Sequence, residues 1–200
     1  GKDAPAQPYA MGLKADYFTN TNTNYANVMF VVTDGSLTIK PAEIEITAGS
    51  DEKVYDGTPL TKNSYEITKG EFCENGVNDF KSVTVEGSQT DAGKSENVIT
   101  GYELADGVLA GNYKITTVKG ELEVTPVTDK VLVKIKGNTR TTEYNGLKQS
   151  VEGYTVTIDN PLYKEADFTF SGTAKAEGTE PQDDAYLMGL KAADFQNNGK

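Results

Sequence analysis

The chain reads as an all-β protein, and three features point to that class. Short runs alternate apolar and polar residues, as in Leu37-Thr38-Ile39 and Leu122-Glu123-Val124, the period of a strand with one buried face. Turn-forming dipeptides punctuate the runs: Asp34-Gly35, Asn75-Gly76, Asp106-Gly107 and Lys119-Gly120. Asp-Gly and Asn-Gly suit tight hairpins because both central positions tolerate positive φ. No window keeps apolar residues at i, i+3, i+4 and i+7 over three turns, and the nearest to a helix is Gly189 to Phe195.

In chain order, the first expected strand is the β-branched and aromatic run Asn27 to Thr33, followed by Leu37 to Ile39. Glu43 to Ile46, Val83 to Val85 and Leu122 to Val124 alternate in the same way. So do Val131 to Ile135, Tyr154 to Ile158 and Phe168 to Phe170. Pro41 and Pro126 each close a Leu-x-Ile/Val-x-Pro segment, where proline stiffens a junction and removes a ladder donor. Several short strands with frequent turn signals suit small immunoglobulin-like β-sandwiches. β-grasp-like modules are the alternative, but they need a helix against the sheet.

The same elements recur. Asn24-Tyr25 returns 88 residues on as Asn112-Tyr113, and Tyr55-Asp56-Gly57 returns 89 on as Tyr144-Asn145-Gly146. Met11-Gly12-Leu13-Lys14-Ala15 returns after 177 as Met188-Gly189-Leu190-Lys191-Ala192, with Gly101 to Leu104 filling the middle slot. Gly35 to Pro41 matches Gly120 to Pro126, and Val83 to Gly87 matches Phe168 to Gly172. These pairs divide the chain into the closing part of one repeat (1–41), a whole repeat (42–126) and the opening part of another (127–200).

Composition narrows the chemistry. The 200 residues include no His, no Trp and a single Cys, and the net charge is −11. Without His there is no Ser-His-Asp triad, no Cys-His pair and no His-bearing metal site. One Cys allows no intrachain disulfide. The negative charge disfavours nucleic acid and anionic membranes as partners. No apolar run approaches a membrane span. Gly1 is not an initiator methionine, and the natural start is expected upstream.

Lys53-Val54-Tyr55-Asp56-Gly57-Thr58-Pro59-Leu60, then Val83 to Gly93, then Gly111-Asn112-Tyr113 before a Gly-x-Leu-x-Val end, resembles the YDG-type MBG domains. These are tandem β-rich modules of large bacterial surface adhesins. The resemblance spans 42–126. It is looser in the third segment, where Tyr144-Asn145-Gly146 lacks the following Thr-Pro-Leu. It implies an extracellular or cell-surface setting and a non-catalytic role as stalk or spacer, or else binding of a host glycan or protein. It carries no catalytic residue, cofactor or metal.

Each candidate residue also has a plainer reading. Tyr55-Asp56-Gly57 and Tyr144-Asn145-Gly146 read as turns in which Tyr packs and Asp/Asn-Gly bends the chain. Tyr25 and Tyr113, at one repeat position, read as core residues. Cys73, between Glu71 and Glu74, reads as inert and partly buried. Glu177, Glu180, Asp183 and Asp184 lack the D-x-D-x-D-G spacing of a calcium loop and read as solvated. No Lys and Asn set for an isopeptide crosslink recurs. The expected partners are neighbouring repeats and a second copy by strand exchange, in which residues near 27–39 pair with the sheet built from 130–190 of another chain.

Overall fold

The computed structural model describes residues 1–199. It is all-β, with three-residue 3-10 turns in place of helices. The chain divides into two compact units, Gly1–Pro126 and Val127–Lys200.

In the first unit β1 (Tyr9–Ala10) and β2 (Ser36–Leu37) form a short antiparallel pair. There follow β3 (Ala42–Ala48), β4 (Asp51–Val54), β5 (Tyr65–Lys69), β6 (Ser82–Glu86), β7 (Gly93–Glu103), β8 (Tyr113–Val118) and β9 (Gly120–Thr125). One sheet runs β5-β3-β8 and a second runs β4-β9-β7-β6. β3 pairs with β8 in parallel, and β4 pairs with β9 in parallel. Only Gly49-Ser50 separates β3 from β4, and only Lys119 separates β8 from β9. The same two stretches, 42–54 and 113–125, therefore lie side by side through both sheets as one parallel pair broken in the middle.

Alternation decides what is buried. Ile44, Ile46 and Ala48 of β3 face inward and their neighbours do not, as the pleat requires. They pack with Val85, Ile99 and Tyr113, and with Phe72 and Phe80 of the 70–81 loop. Each such aliphatic side chain contributes about 1.5–3 kcal/mol by leaving water. A smaller cluster joins Leu122 and Val124 of β9 to Leu60, with Tyr55 against it.

The break is pinned by Asn97, a fully buried polar side chain. Asn97 ends the β7–β9 ladder opposite Gly120, and Val98 begins the β7–β6 ladder. Its Nδ2 donates to the carbonyls of Gly49 (2.8 Å) and Lys62 (2.7 Å). Backbone crowds this point. A Cβ on Gly120 would lie 2.3 Å from the Gly49 carbonyl oxygen, and one on Gly87 would lie 2.5 Å from Asn97 Oδ1. Glycine at 87 and 120 is thus a condition of the close approach.

The second unit is a set of two-stranded antiparallel ladders. β10 (Val133–Gly137) pairs with β12 (Tyr154–Ile158), and β11 (Gln149–Glu152) pairs with β14 (Lys175–Gly178). β13 (Phe168–Phe170) pairs with β15 (Phe195–Asn197). Rings of Tyr154, Phe168, Phe170 and Phe195 cluster with centroids 4.7–6.0 Å apart.

Several expectations are corrected. Asn27–Thr33 forms no ladder. Its consecutive apolar residues require cover on both faces, yet Val28, Met29 and Val31 stand exposed, and Phe30, itself partly exposed, meets the Phe18 ring 5.9 Å away. The four turn dipeptides do not close two-residue hairpins. Lys119-Gly120 passes from one sheet to the next, and Asp106-Gly107 leads into a 3-10 turn. The Asp34 carboxylate instead accepts the N–H groups of Gly12 and Leu13 at 3.0 and 2.8 Å, fixing β2 beside β1. The helical stretch at 189–195 is the single 3-10 turn Ala192–Asp194. Cys73 is exposed, because its neighbour Phe72 takes the inward position.

Leu122 and Leu37, which stand in matching Gly-x-Leu-x-Val/Ile segments, sit in opposite environments, 0% and 52% exposed. Leu122→Ala is expected to lower the unfolding free energy by about 2–5 kcal/mol. Leu37→Ala, in dilute protein, is expected to change it by less than about 0.5 kcal/mol. Urea titration of both variants checks the contrast.

Candidate functional site

Tyr55-Asp56-Gly57 is a closed turn. Gly57 has φ +78°, a value open to glycine at little cost. The Asp56 carboxylate accepts the backbone N–H (2.9 Å) and hydroxyl (2.7 Å) of Thr58 and the Lys53 ammonium (2.7 Å). The lysine and both Thr58 donors hold this carboxyl well below the usual aspartate range. Tyr55 N–H donates to the Thr125 carbonyl (2.8 Å), and Leu60 exchanges backbone bonds with Gln89 (2.8 and 3.1 Å). The turn caps the Leu60, Leu122 and Val124 cluster.

Tyr144-Asn145-Gly146 repeats the local geometry. Gly146 has φ +73°, and Asn145 Oδ1 accepts the Leu147 N–H at 3.0 Å. The packing is not repeated, since Tyr144 and Leu147 are 61% and 67% exposed.

Tyr25 and Tyr113 are not equivalent in place. Tyr25 lies exposed in a turn closed by its N–H to the Asn22 carbonyl, while Tyr113 is buried at the start of β8. The structural counterparts of Tyr113 are Phe18 and Phe195. Each ends the pattern Gly-x-x-Ala-x-x-aromatic: Gly12-Ala15-Phe18, Gly107-Ala110-Tyr113 and Gly189-Ala192-Phe195. In all three the glycine has positive φ, the alanine opens a 3-10 turn and the aromatic N–H bonds back to the alanine carbonyl. Gly101 instead lies within β7 opposite Thr84. Of the two glycines, Gly107 is the one whose geometry matches Gly12 and Gly189.

The 70–81 loop is strapped over the first core by two tyrosines. Tyr113 Oη accepts the Cys73 N–H (2.6 Å) and donates to the Glu74 carboxylate. Tyr65 donates to Asp79 Oδ1 at 2.6 Å. Phe72 and Phe80 meet edge to face at 5.1 Å beneath the strap. Burial first, then the acidic partner, pushes both phenols up to about 12.

Of the acidic set, Glu177 is held by Lys148 and Lys175, which lower its pKa, Lys148 most. Glu180, Asp183 and Asp184 are exposed. Among the described residues no group of three or more His, Cys, Asp or Glu stands close enough to hold a metal ion. Each unit has an open cleft. In the first unit Ile39, Cys73, Glu74, Leu109 and Asn112 line about 450 Å³. In the second, Val133, Ile135, Tyr163, Phe168, Leu190 and Phe195 line about 360 Å³.

Sequence reasoning missed Asn97 and the 70–81 strap. Asn97 belongs to no repeated pattern, whereas the Gly-x-x-Ala-x-x-aromatic pattern was open to self-comparison. No family model, curated protein or solved structure matches the chain.

The two phenols give a signed pH dependence. Their folded pKa values lie above the unfolded value near 10, so the stability they contribute is full below pH 10 and is lost as pH rises towards about 12. Tyr113→Phe is expected to be less stable than the parent at pH 8 and to lose less stability between pH 10 and 12. Urea midpoints across that range check it.

Proposed function

We propose that the chain is a non-catalytic repeat segment of a bacterial cell-surface adhesin, extracellular, acting as stalk or spacer. The observation that carries this reading is the parallel pair of the 42–126 module. Register sets Ala42 beside Tyr113 and Val54 beside Thr125, so the chain enters at one end of the pair and leaves at the other. At about 3.3 Å per residue, the two ports stand up to about 40 Å apart. A module with ports at opposite ends extends an array.

The same geometry suits a load-bearing role. Tension applied through residues 42 and 125 acts along the β3–β8 and β4–β9 ladders in shear, so that their six and four residue pairs resist together. Recurring Gly-x-x-Ala-x-x-aromatic and Tyr-Asp/Asn-Gly elements support the tandem-repeat reading, as does the resemblance to YDG-type MBG domains. An immunoglobulin-like sandwich is built from antiparallel sheets. The central parallel pair therefore favours the grasp-like alternative, with the 70–81 loop occupying the place of a helix. No helix of the described residues is long and apolar enough to cross a membrane.

A second reading, a module that binds a host glycan or protein, is favoured by the aromatic cleft of the second unit. Tyr163 and Phe168 rings lie nearly parallel there, beside Asn197.

Single-molecule pulling tests the spacer reading. In a Cys73→Ser background, handles on cysteines at Lys40 and Val127 load the ladders in shear. Handles at Lys40 and Gly111 peel β3 from β8 one pair at a time. The first geometry is expected to unfold at the higher force. Equal or lower force would remove the mechanical basis of the proposal.

A further inference from the structure

The small cluster that closes the 42–126 module has two halves. One is the pair Tyr55 and Leu60 on the Tyr-Asp-Gly turn, and the other is the pair Leu122 and Val124 on β9. Joined, they leave Leu60 8%, Leu122 0% and Val124 1% exposed. Parts of both halves occur again in the chain, apart. Tyr144 repeats Tyr55 and stands 61% exposed, and beside it Leu147, in the place of Thr58, offers a second apolar side chain, 67% exposed. Leu37 and Ile39 repeat the second half, with Leu37 52% exposed and Ile39 half-buried.

We propose that segment 35–41 of one copy docks as a strand on residues 140–147 of a second copy, forming between chains a similar cluster of Leu37, Ile39, Tyr144 and Leu147. β4 and β9 supply the register. Asp51 pairs with Leu122 and Val54 with Thr125, in parallel. Transferred through the repeat offsets, Arg140 faces Leu37, Thr141 faces Thr38, Thr142 faces Ile39 and Glu143 faces Lys40. The last is a pair of opposite charges, the favourable kind across a ladder.

Both partners are available. Among the described residues β2 is paired along one edge, with β1, and residues 140–147 belong to no ladder. The occupant is a second copy because every chain carries both segments, and Lys40 of one meets Glu143 of the other with opposite charge. A strand added at an open sheet edge gains main-chain hydrogen bonds together with side-chain burial. Each copy carries one donor and one acceptor, so the association is head-to-tail.

Light scattering over a concentration series tests the proposal, using the whole chain and two variants, Leu37→Asp and Leu147→Asp. Both positions are largely exposed, so the fold survives substitution, and circular dichroism verifies this. The parent is expected to grow in mass with concentration. Each variant alone is expected to remain monomeric at concentrations where the parent associates. An equimolar mixture, holding one intact donor and one intact acceptor, is expected to reach twice the monomer mass and stop. Lys40→Glu is expected to weaken association, and Glu143→Lys to restore it. A parent that is monomeric at every concentration overturns the proposal. So does association that both aspartate variants retain, or a mixture that stays monomeric. The outcome is independent of the pulling experiment, which loads the 42–126 ladders within one chain.

Discussion

The Asn97 carboxamide donates both of its hydrogens at the place where the long strands between residues 42 and 125 change partner. β3 gives way to β4 there, β8 gives way to β9, and β7 leaves β9 for β6. Strands that break together would separate into two small sheets unless something spanned the gap. The two bonds from Asn97 reach the Gly49 and Lys62 carbonyls, which are otherwise left to the break. An unsatisfied buried acceptor costs about 1–3 kcal/mol. The amide is held in one orientation, because the reverse would set its oxygen against two carbonyl oxygens. Its own Oδ1 has no partner among the described residues and lies against Gly87, so the site tolerates one orphaned acceptor to satisfy two.

From that pivot follow the two cores and the ports. Ile44 and Ile46 on one side and Leu122 and Val124 on the other belong to different clusters because the strand pair bends between them. The parallel pairing that places entry and exit at opposite ends persists through both sheets only while the bend holds. The tyrosine strap and the Tyr-Asp-Gly turn then close one cluster each. At Leu37 the strand forms, and at Tyr144-Asn145-Gly146 the turn forms, but Leu37, Tyr144 and Leu147 remain largely exposed.

The class and the inward faces were legible because strand alternation is local. Ile44, Ile46, Leu122 and Val124 are buried as their spacing requires. The Asp/Asn-Gly geometry at 56–57 and 145–146 was legible for the same reason: an acceptor side chain two residues before an N–H makes the turn by itself. What the sequence hid was pairing. Asn27–Thr33 has strand composition but no neighbour, and composition says nothing of neighbours. Lys119-Gly120 has a turn signal, yet its glycine serves a close approach to the Gly49 carbonyl. Tyr25 and Tyr113 share a dipeptide, whereas the residues that share Tyr113's place are Phe18 and Phe195, which the Gly-x-x-Ala spacing marks and the dipeptide does not. Asn97 left no trace because a single buried amide has no periodicity.

Hydrogen exchange of the whole chain, read by mass spectrometry beside Asn97→Ala, tests most directly whether that amide unites the module. In the parent, residues 42–54 and 113–125 should exchange as one cooperative unit, with 27–33 and 140–147 exchanging fast in dilute protein. In Asn97→Ala, protection of 51–54 and 120–125 should fall separately from that of 42–48 and 113–118. Independent opening of the two halves in the parent would contradict the account. So would protection left unchanged by the substitution.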